Sequence, residues 1–375
     1  MLARIVFWGG AAALAWTHVG YPLAVAAGAR LRPRPVRKAD GEPSVSLIVA
    51  AHDEEHVIER RVDNLLALDY PTEKLEIVVA SDASGDGTDE LVGAIAAREP
   101  RVRLIQAPRG GKVAAQNLAV RKTSGEILAF SDANATWPAD ALRKLVRSFA
   151  DPDVAYVTGR ATYADADGTN REGAYWAFEL WLRKQESQLG SVTGGNGPIY
   201  AVRREDYVDV DPRFGHDLAF PYLMVQRGRR AVYDPEAISV EKPSRDLEDE
   251  YRRKVRMFEH CWLITLRGGM LRDVEPVYLA ALLSHRVLRY ASGLLHLGVL
   301  AANVALAGRG RVYDLALAKQ AAFLGLAAAG KAGVRAPGAA LAYYYVLVTW
   351  ATVVSLAGYV REGVPAVWEK AEGTR

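Results

Sequence analysis

The chain has 375 residues, enough for about two domains and a full-sized core. Its 47 basic and 44 acidic residues leave a net charge of +3, and no segment interleaves aromatic with basic residues, so a nucleic-acid-binding function is disfavoured. The single cysteine, Cys261, excludes a disulfide framework and a cysteine-based zinc cluster.

The chain begins with a long uncharged stretch. From Ile5 to Ala29 there are 25 residues without a charge, and five basic residues follow between Arg30 and Lys38. We therefore predict an N-terminal transmembrane helix over 1–30 and a basic juxtamembrane linker over 31–43 that faces the cytoplasm. A cleaved signal peptide would carry its positive charges before a shorter apolar core, so we expect a retained anchor.

The next part of the chain alternates apolar runs with helical patterns. Runs at 44–51, 75–80, 102–106 and 126–130 are typical of buried strands. The first predicted helix runs from His52 to about Leu68, and the second ends at about Ala97. A third follows Lys112, and a fourth begins at Pro138. This alternation indicates an α/β fold with a mostly parallel sheet and right-handed crossovers.

Polar residues follow the predicted strands at positions that meet at one edge of the sheet, where open α/β sheets bind ligands. Ala51, Asp82 and Asp132 lie at these strand ends. The Asp82 carboxylate can accept the imide N–H of a pyrimidine, and Lys112 can offset phosphate charge. Asp132, with Asn134 two residues on, can hold Mg²⁺ or Mn²⁺ against a diphosphate. Taken alone, Asp132 and Asn134 are more often simple turn formers.

Three competing motifs fail on inspection. Gly110-Gly-Lys112 lacks the earlier glycine and the following Ser or Thr of a P-loop. Residues 82–87 imitate a calcium-binding loop, but its twelfth position is Gly93 and a strand precedes it. His52 and His56 are four residues apart, but His52 lies at a strand end, so a zinc site is disfavoured.

Four motifs in this order, at the family's spacing, carry a family resemblance: Ala50-Ala-His-Asp-Glu-Glu55, Ser81-Asp-Ala-Ser-Gly-Asp-Gly-Thr88, Gly111-Lys112 and Asp132-Ala-Asn134. With them, residues 44–265 resemble the inverting family 2 glycosyltransferases of the GT-A nucleotide-sugar fold. The resemblance is strongest to membrane-integrated members such as cellulose and hyaluronan synthases and related bacterial polysaccharide enzymes.

The resemblance implies roles on the donor side of the site. Asp82 is expected at the uracil, Glu54 in the nucleoside pocket beside Ala51, and Asp132 at the metal and the donor. Asn134 replaces the usual Asp. Its amide oxygen can still ligate Mg²⁺ or Mn²⁺ with one less negative charge, so a weaker metal site is expected.

The middle of the chain carries acceptor-side candidates. A strand is predicted at 154–158, and a helix over 172–189 carries Tyr175, Trp176 and Trp181. These aromatics could form a sugar-stacking platform, although a packed or membrane-facing helix is more common. Residues 194–203 resemble the family's glycine-rich acceptor segment, which makes Asn196 an acceptor-binding candidate, or they form a plain turn before a strand.

His216-Asp217 stands where the family has two acidic residues, the second being the catalytic base. The resemblance therefore assigns the base to Asp217, which would deprotonate the acceptor hydroxyl as it attacks the anomeric carbon. His216, placed on the acceptor side, would lower the pKa of Asp217 if it were a cation. A helix N-cap is the structural alternative for Asp217.

Residues 252–257 stand in place of the family's Gln-x-x-Arg-Trp. Arg256 matches the arginine that contacts the donor diphosphate, Arg253 replaces the glutamine and Met257 replaces the tryptophan. Loss of that tryptophan puts processivity in doubt, with Trp262 as a candidate substitute on the acceptor side. A basic helix face beside a membrane is the alternative for these arginines.

The C-terminal part returns to the membrane. Uncharged runs cover 290–308 and 336–360, whereas the apolar stretch 315–330 contains Lys319. We predict a GT-A domain over 44–270, then an amphipathic interfacial helix and two or three transmembrane helices over 276–361, giving three or four spans in all. The tail, 362–375, carries a predicted interfacial anchor at residues 367–370.

These features predict a membrane-bound, metal-dependent, inverting glycosyltransferase whose catalytic domain is cytosolic. It would move a sugar from a nucleotide-diphosphate sugar, with UDP favoured, to a saccharide or lipid-linked acceptor in polysaccharide or glycolipid synthesis. A partner subunit for export is compatible with the helix count. Two alternatives stay open: a nucleotidyltransferase, and a membrane component that keeps the fold only as a binding module.

Overall fold

The computed structural model describes residues 1–163, 173–242 and 246–367 of the chain. The strands are Val45–Ala51 (β1), Leu75–Asp82 (β2), Val102–Ala107 (β3), Ile127–Asp132 (β4), Val154–Tyr163 (β5), Tyr200–Arg203 (β6) and Arg230–Glu241 (β7). The helices up to the middle of the chain are Leu2–Ala15 (α1), Tyr21–Leu31 (α2), Ile58–Leu66 (α3), Thr88–Ala96 (α4), Lys112–Arg121 (α5), Ala141–Val146 (α6) and Gly173–Leu189 (α7). The remaining helices are His216–Gln226 (α8), Leu247–Arg267 (α9), Pro276–Ala281 (α10), Leu288–Tyr290 (α11), Ser292–Leu306 (α12), Arg311–Lys331 (α13) and Ala339–Glu362 (α14).

The strands form one seven-stranded sheet in the order β3-β2-β1-β4-β6-β5-β7. The first four strands along this order pair in parallel, and β6 pairs antiparallel with both β4 and β5. The mostly parallel α/β sheet predicted from the alternation of strands and helices is therefore confirmed. Because β6 runs against β4, the loop before β6 lies at the same edge as the end of β4.

Helices cover both faces of the sheet, which explains the near-continuous apolar strands. Along β1, Leu47 and Val49 contribute to one apolar core and Ile48 to the other, and all three are fully buried. One core also takes in Trp137, and the other takes in Phe130. The sheet is thus a rigid platform whose carboxyl-terminal edge can hold side chains in fixed positions.

Three element boundaries differ from the sequence-based prediction. Helix α3 begins at Ile58 instead of His52, because residues 52–57 form a loop in which Asp53 takes a left-handed φ of 53°. Strand β2 continues through Asp82, which keeps pairing with β3. Helix α6 begins at Ala141, three residues after Pro138.

Two helices in the described residues are long and apolar enough to cross a membrane, α13 with 21 residues and α14 with 24. A third candidate is the run Pro276–Tyr290 with α12, which is bent by 63°. Lys319 therefore does not prevent a long apolar helix. At the N-terminus, a π-helical turn at Trp16–Gly20 joins α1 and α2, of 14 and 11 residues. The N-terminal anchor stays a prediction.

The helix that was expected to lie at the membrane interface is tied to the sheet domain. Tyr278 Oη donates to the carbonyl of Val192 at 3.0 Å, and Arg286 Nε donates to the carbonyl of Thr193 at 3.1 Å. The ring of His285 is buried against two carboxylates of α7. These contacts link the segment after residue 276 directly to the glycine-rich loop that precedes β6.

Candidate active site

The end of β4 and the loop before β6 define the centre of the site. Asp132 is the last residue of β4, and Phe130 pairs with Tyr200 at the start of β6. This register brings Gly197 next to Asp132. Around Gly197 the structure gathers an acidic residue from β4, a basic residue from α5 and an acidic residue from α8.

The distances around Gly197 show how closely these groups converge. A methyl group placed on its Cα would lie 3.7 Å from Asp217 Oδ2, 3.7 Å from Lys112 Nζ and 3.9 Å from Asp132 Oδ2. Lys112 Nζ also donates to the other carboxylate oxygen of Asp132. Two carboxylates and an ammonium group from three different elements therefore surround one small space.

Asp217 lies in the first turn of α8, one residue after the helix begins, and the N-cap position is Gly215. Its carbonyl accepts the N–H of Gly195 at 2.7 Å, which fixes the glycine-rich loop against α8. Burial raises the pKa of the Asp217 carboxyl, the Lys112 ammonium opposes this rise, and Asp132 adds to it. A carboxyl whose pKa is raised in this way suits proton abstraction near neutral pH.

The same carboxylates act on Lys112. Burial alone would lower the pKa of the ammonium, but the Asp132 and Asp217 carboxylates outweigh burial, so the pKa is raised. Lys112 is therefore a cation at neutral pH. It lies at the start of α5, directly after Gly111, whose φ of 88° favours glycine.

Asp82 lies at the end of β2, and its carboxylate is held by the chain itself. Its Oδ1 accepts the N–H of Gly110 at 2.7 Å, its Oδ2 accepts the N–H of Gly111 at 3.0 Å, and Arg109 also donates to Oδ2. Only 4% of the Asp82 side chain is exposed. Asp82 thus fixes the loop that carries Lys112.

The loops after β1 and β2 are joined to each other beside this centre. Asp53 Oδ1 accepts the N–H of Gly85 at 2.7 Å, and Glu54 is buried, with its N–H donating to Thr88 Oγ1 at 2.8 Å. Ala51, the last residue of β1, pairs with Ser81. From the calcium-like loop, Asp86 Oδ2 accepts the N–H of Glu55 at 3.1 Å, so acidic residues on both sides hold the two loops together.

His216 differs from its predicted role. It is buried, with Nδ1 2.9 Å from Tyr200 Oη and Nε2 3.3 Å from Asn117 Oδ1. Burial, with a smaller effect of Lys112, lowers its pKa to about 3. The imidazole is therefore neutral and lies in the core beneath the site, so it does not lower the pKa of Asp217 as a cation, and its acceptor-binding role stays a prediction.

The side chain of Asn196 also forms hydrogen bonds within the fold. Its Oδ1 accepts from Arg183 at 2.6 Å, and its Nδ2 donates to the carbonyl of Gly159 at 2.6 Å. The side chain is buried. In this conformation the Asn196 side chain fixes the glycine-rich loop, and its acceptor-binding role stays a prediction.

Two further acceptor candidates on α9 have structural partners. Trp262 is buried, and its Nε1 donates to the carbonyl of Thr352 in α14 at 3.0 Å. Arg253 forms an ion pair with Glu250 at 2.8 Å and lies over the ring of Tyr163. Trp262 therefore joins α9 to α14, and its role as a substitute for the missing sugar-stacking tryptophan stays a prediction.

Arg256 is half-buried on α9 and lines a cavity of about 500 Å³ together with His260, Val364 and Val367. Burial, and then the neighbouring Arg253, lowers the pKa of its guanidinium. An anion in this cavity would relieve both effects.

The aromatic residues of α7 mainly pack. Trp176 Nε1 donates to the carbonyl of Ala161 at 2.8 Å, and Phe178 stacks on Trp181. The packed helix is thus the better interpretation than a sugar platform. The predicted first residue of this helix, at 172, and residues 368–370 of the predicted tail anchor lie outside the described residues.

Sequence reasoning missed Arg61, a fully buried arginine behind the site. It donates to Ser131 Oγ at 2.6 Å and to Asn64, and lies over the ring of Trp137. Burial lowers its pKa to about 9, and the carboxylate of Asp132 opposes this shift. The sequence could have indicated this residue, because the apolar spacing places Arg61 on the buried face of α3, where a charged residue is unusual.

The carboxylate oxygens fit a divalent cation that is completed by a ligand. The described residues contain no group of three His, Cys, Asp or Glu side chains able to hold a metal. Asp132 Oδ2 and Asp217 Oδ2 nevertheless face the same space beside Gly197, and Asn134 follows in the turn after β4. Mg²⁺ is commonly held by one or two carboxylates together with substrate phosphates.

The sheet, and the edge of it where these groups meet, have the GT-A fold, with apolar helices after the sheet. The model of glycosyl transferase family 2 matches residues 46–210 of the chain. The resemblance identified in the sequence is confirmed.

Known proteins extend this comparison. The chain is 32% identical over 174 residues to the β-monoglucosyldiacylglycerol synthase of Synechocystis sp., covering 44% of this chain and 36% of that protein. It is 27% identical over 260 residues to an N-acetylglucosaminyltransferase of Rhizobium meliloti, covering 62% and 59%. The chain thus spans about a third of the first relative and less than two thirds of the second.

One solved structure is similar over nearly the whole chain. It is the mannosyltransferase PcManGT from Pyrobaculum calidifontis in complex with GDP-Man and Mn²⁺, with a TM-score of 0.73 and 26% identity. The similarity covers 96% of this chain and 99% of that one, so it includes helices that flank the sheet.

Proposed function

We propose that this protein is a membrane-bound, metal-dependent, inverting glycosyltransferase. It transfers a sugar from a nucleoside-diphosphate sugar to a saccharide or lipid-linked acceptor. The observation that carries the proposal is the convergence of Asp132, Lys112 and Asp217 within 4 Å of one point beside Gly197. A transfer that inverts the anomeric carbon needs a base on one side and charge stabilisation of the leaving diphosphate on the other.

Each side chain has a separate part in this reaction. Asp217 takes the proton of the acceptor hydroxyl as that oxygen attacks the anomeric carbon. Its raised pKa makes it a stronger base than an exposed aspartate, and it acts in the ionised form. Lys112 and Arg256 bind the diphosphate and share its charge.

Asp132, with Asn134, would hold the metal ion. A bound Mg²⁺ or Mn²⁺ supplies Lewis-acid stabilisation of the charge on the departing diphosphate. The Mn²⁺ in PcManGT supports a divalent ion in this fold. Arg61 lies behind Asp132 and orients the end of β4 through Ser131.

The apolar helices support a membrane location for the protein, and the similar proteins support the proposed class of acceptor. Helices α13 and α14 would anchor the protein in the membrane, with the catalytic domain in the cytosol, where activated sugars are made. The names of the two curated relatives indicate glycolipid synthesis and transfer of an N-acetylglucosaminyl group. A saccharide or a lipid-linked acceptor would meet the site at the membrane surface, and a partner subunit for export is compatible with this arrangement.

The test offers radiolabelled UDP-sugars and GDP-sugars, with Mn²⁺ or EDTA, to membranes that contain the protein. The resemblance favours UDP, whereas PcManGT was crystallised with GDP-Man. We expect label in a lipid-bound or polymer-bound fraction from one of these donors, and loss of label with EDTA. Membranes that contain the Asp132→Ala variant serve as the control. Equal label from wild type and this variant would contradict the proposed site.

A further inference from the structure

The chain leaves the last helix and returns to the donor side of the sheet. Helix α14 ends at Glu362, Gly363 turns the chain with a φ of 75°, and Val364 is buried. The backbone of Ala366 then lies directly on Gly111. A methyl group on the Cα of Gly111 would lie 2.1 Å from the carbonyl oxygen of Ala366 and 2.9 Å from its carbonyl carbon. No side chain fits between the two segments.

The loop Arg109–Gly111, which lies under this contact, covers the Asp82 carboxylate. Two backbone N–H groups and the Arg109 guanidinium donate to its oxygens, and the carboxylate has about four lone-pair positions. With 4% of the side chain exposed, a nucleotide base has no access to it. A base that donates to Asp82 must first displace the segment Arg109–Gly111.

The returning segment is held by α9 as well as by the loop. Val364, Pro365 and Val367 line the cavity of about 500 Å³ that also contains Arg256. Nearer the end of α14, Glu259 packs on Gly358, where a methyl group would lie 2.6 Å from Glu259 Oε1. The position of the segment is therefore fixed by how α14 packs against α9.

We propose that Gly363–Val367, named here the return segment, is a latch on the donor site. It holds the loop Arg109–Gly111 against Asp82, so donor binding requires the loop and the return segment to move apart. Helix α14, a candidate membrane span, is thereby coupled to donor binding. This inference rests on the proposed function, because it assumes that Asp82 receives the donor base.

The test measures binding of UDP and GDP, each with Mn²⁺, to the full-length protein in nanodiscs and to two shortened variants. One variant stops after Glu362 and lacks the return segment. The matched control stops after Val367 and keeps it. If the latch is closed in about nine tenths of the molecules, its removal lowers the apparent Kd about tenfold. The control should bind like the full-length protein.

The outcomes separate the latch from the donor site itself. Equal Kd values in all three proteins, or weaker binding after the stop at Glu362, would overturn the latch and leave the proposed function standing. Absence of UDP and GDP binding in all three would overturn both.

Hydrogen exchange of the intact protein gives a second measurement if the shortened variant does not fold. We expect the nucleotide to increase exchange at the amides of Val364, Ala366 and Val367, because binding releases the return segment. Unchanged or slower exchange there would overturn the latch.

Discussion

Replacing Gly197 by alanine would fill the space at the centre of the site without disturbing the fold. The φ of Gly197 lies outside the left-handed region, so alanine can adopt its backbone conformation. The new methyl group would lie 3.7–3.9 Å from the nearest atoms, which is ordinary van der Waals contact. The folded protein therefore has room for it.

The expected magnitudes differ sharply between stability and activity. A glycine-to-alanine change at a compatible position stabilises a protein by about 0.4–1 kcal/mol, because it reduces the entropy of the unfolded chain. The methyl would occupy the position where an acceptor oxygen or a metal ion must approach Asp217 and Asp132. Displacing a reacting atom by about 1 Å can reduce the rate about 100-fold, and we expect at least this loss of transfer.

The assay compares sugar transfer and thermal unfolding of wild type, Gly197→Ala and two control variants. Gly190→Ala should leave transfer unchanged and should raise stability by a similar small amount, because a methyl there meets no atom within 4 Å. Gly195→Ala should unfold more easily, since its methyl would lie 1.9 Å from Tyr156 Oη. Wild-type transfer by a stable Gly197→Ala protein would refute the reasoning.

Three further predictions follow from the contacts of the site. Lys112→Gln removes a positive charge that lowers the pKa of Asp217, so the pKa of Asp217 should rise. The acid limb of the pH–kcat profile, where activity rises as Asp217 ionises, should then move to higher pH. An unmoved limb would count against Asp217 as the base. Arg61→Met loses two hydrogen bonds of a buried cation and should lower the free energy of unfolding by about 1.5–3 kcal/mol in a denaturant titration; equal stability would contradict the contacts described. Trp262→Phe loses its hydrogen bond to α14 and should cost about 1 kcal/mol of stability while the KM for the acceptor stays unchanged; a raised KM would restore Trp262 to the acceptor site.

The sequence predicted the elements of the sheet because their signals are local. Buried parallel strands are continuous apolar runs, and polar residues at their ends mark the edge where the strands stop. Asp82 and Asp132 could therefore be assigned to one edge without knowing any contact between them. The first boundary of α3 was wrong because His52–Val57 can continue a helical pattern, while its backbone is needed to join the loop after β2.

The acceptor side was harder to predict because its residues depend on distant partners. Asn196 and His216 stand beside residues that match family motifs, but their hydrogen bonds go to Arg183, Tyr200 and Asn117 on other elements. Trp262 likewise finds its partner in α14, 90 residues further along the chain. The spacing of apolar residues in a sequence predicts which face of a helix is buried, but it does not predict which atom will form a hydrogen bond with a polar side chain.

The contact between Ala366 and Gly111 had no sequence signal at all. It joins residues far apart in the chain through backbone atoms only, so side-chain identity does not report it. The glycine was identified as part of a Gly-Lys motif, and its positive φ explains the choice of residue locally. Its second requirement, close approach of the C-terminal backbone, is visible only in the folded chain.

The most direct test of the central claim uses Asp217→Asn in a paired measurement of donor binding and sugar transfer. The amide is almost isosteric with the carboxylate but cannot take the proton of an acceptor hydroxyl. We predict that the variant binds the nucleotide with Mn²⁺ within a few fold of wild type and loses transfer by about 100-fold or more. Full transfer by this variant, with donor binding intact, would contradict the assignment of Asp217 as the base at the point where Asp132 and Lys112 meet it.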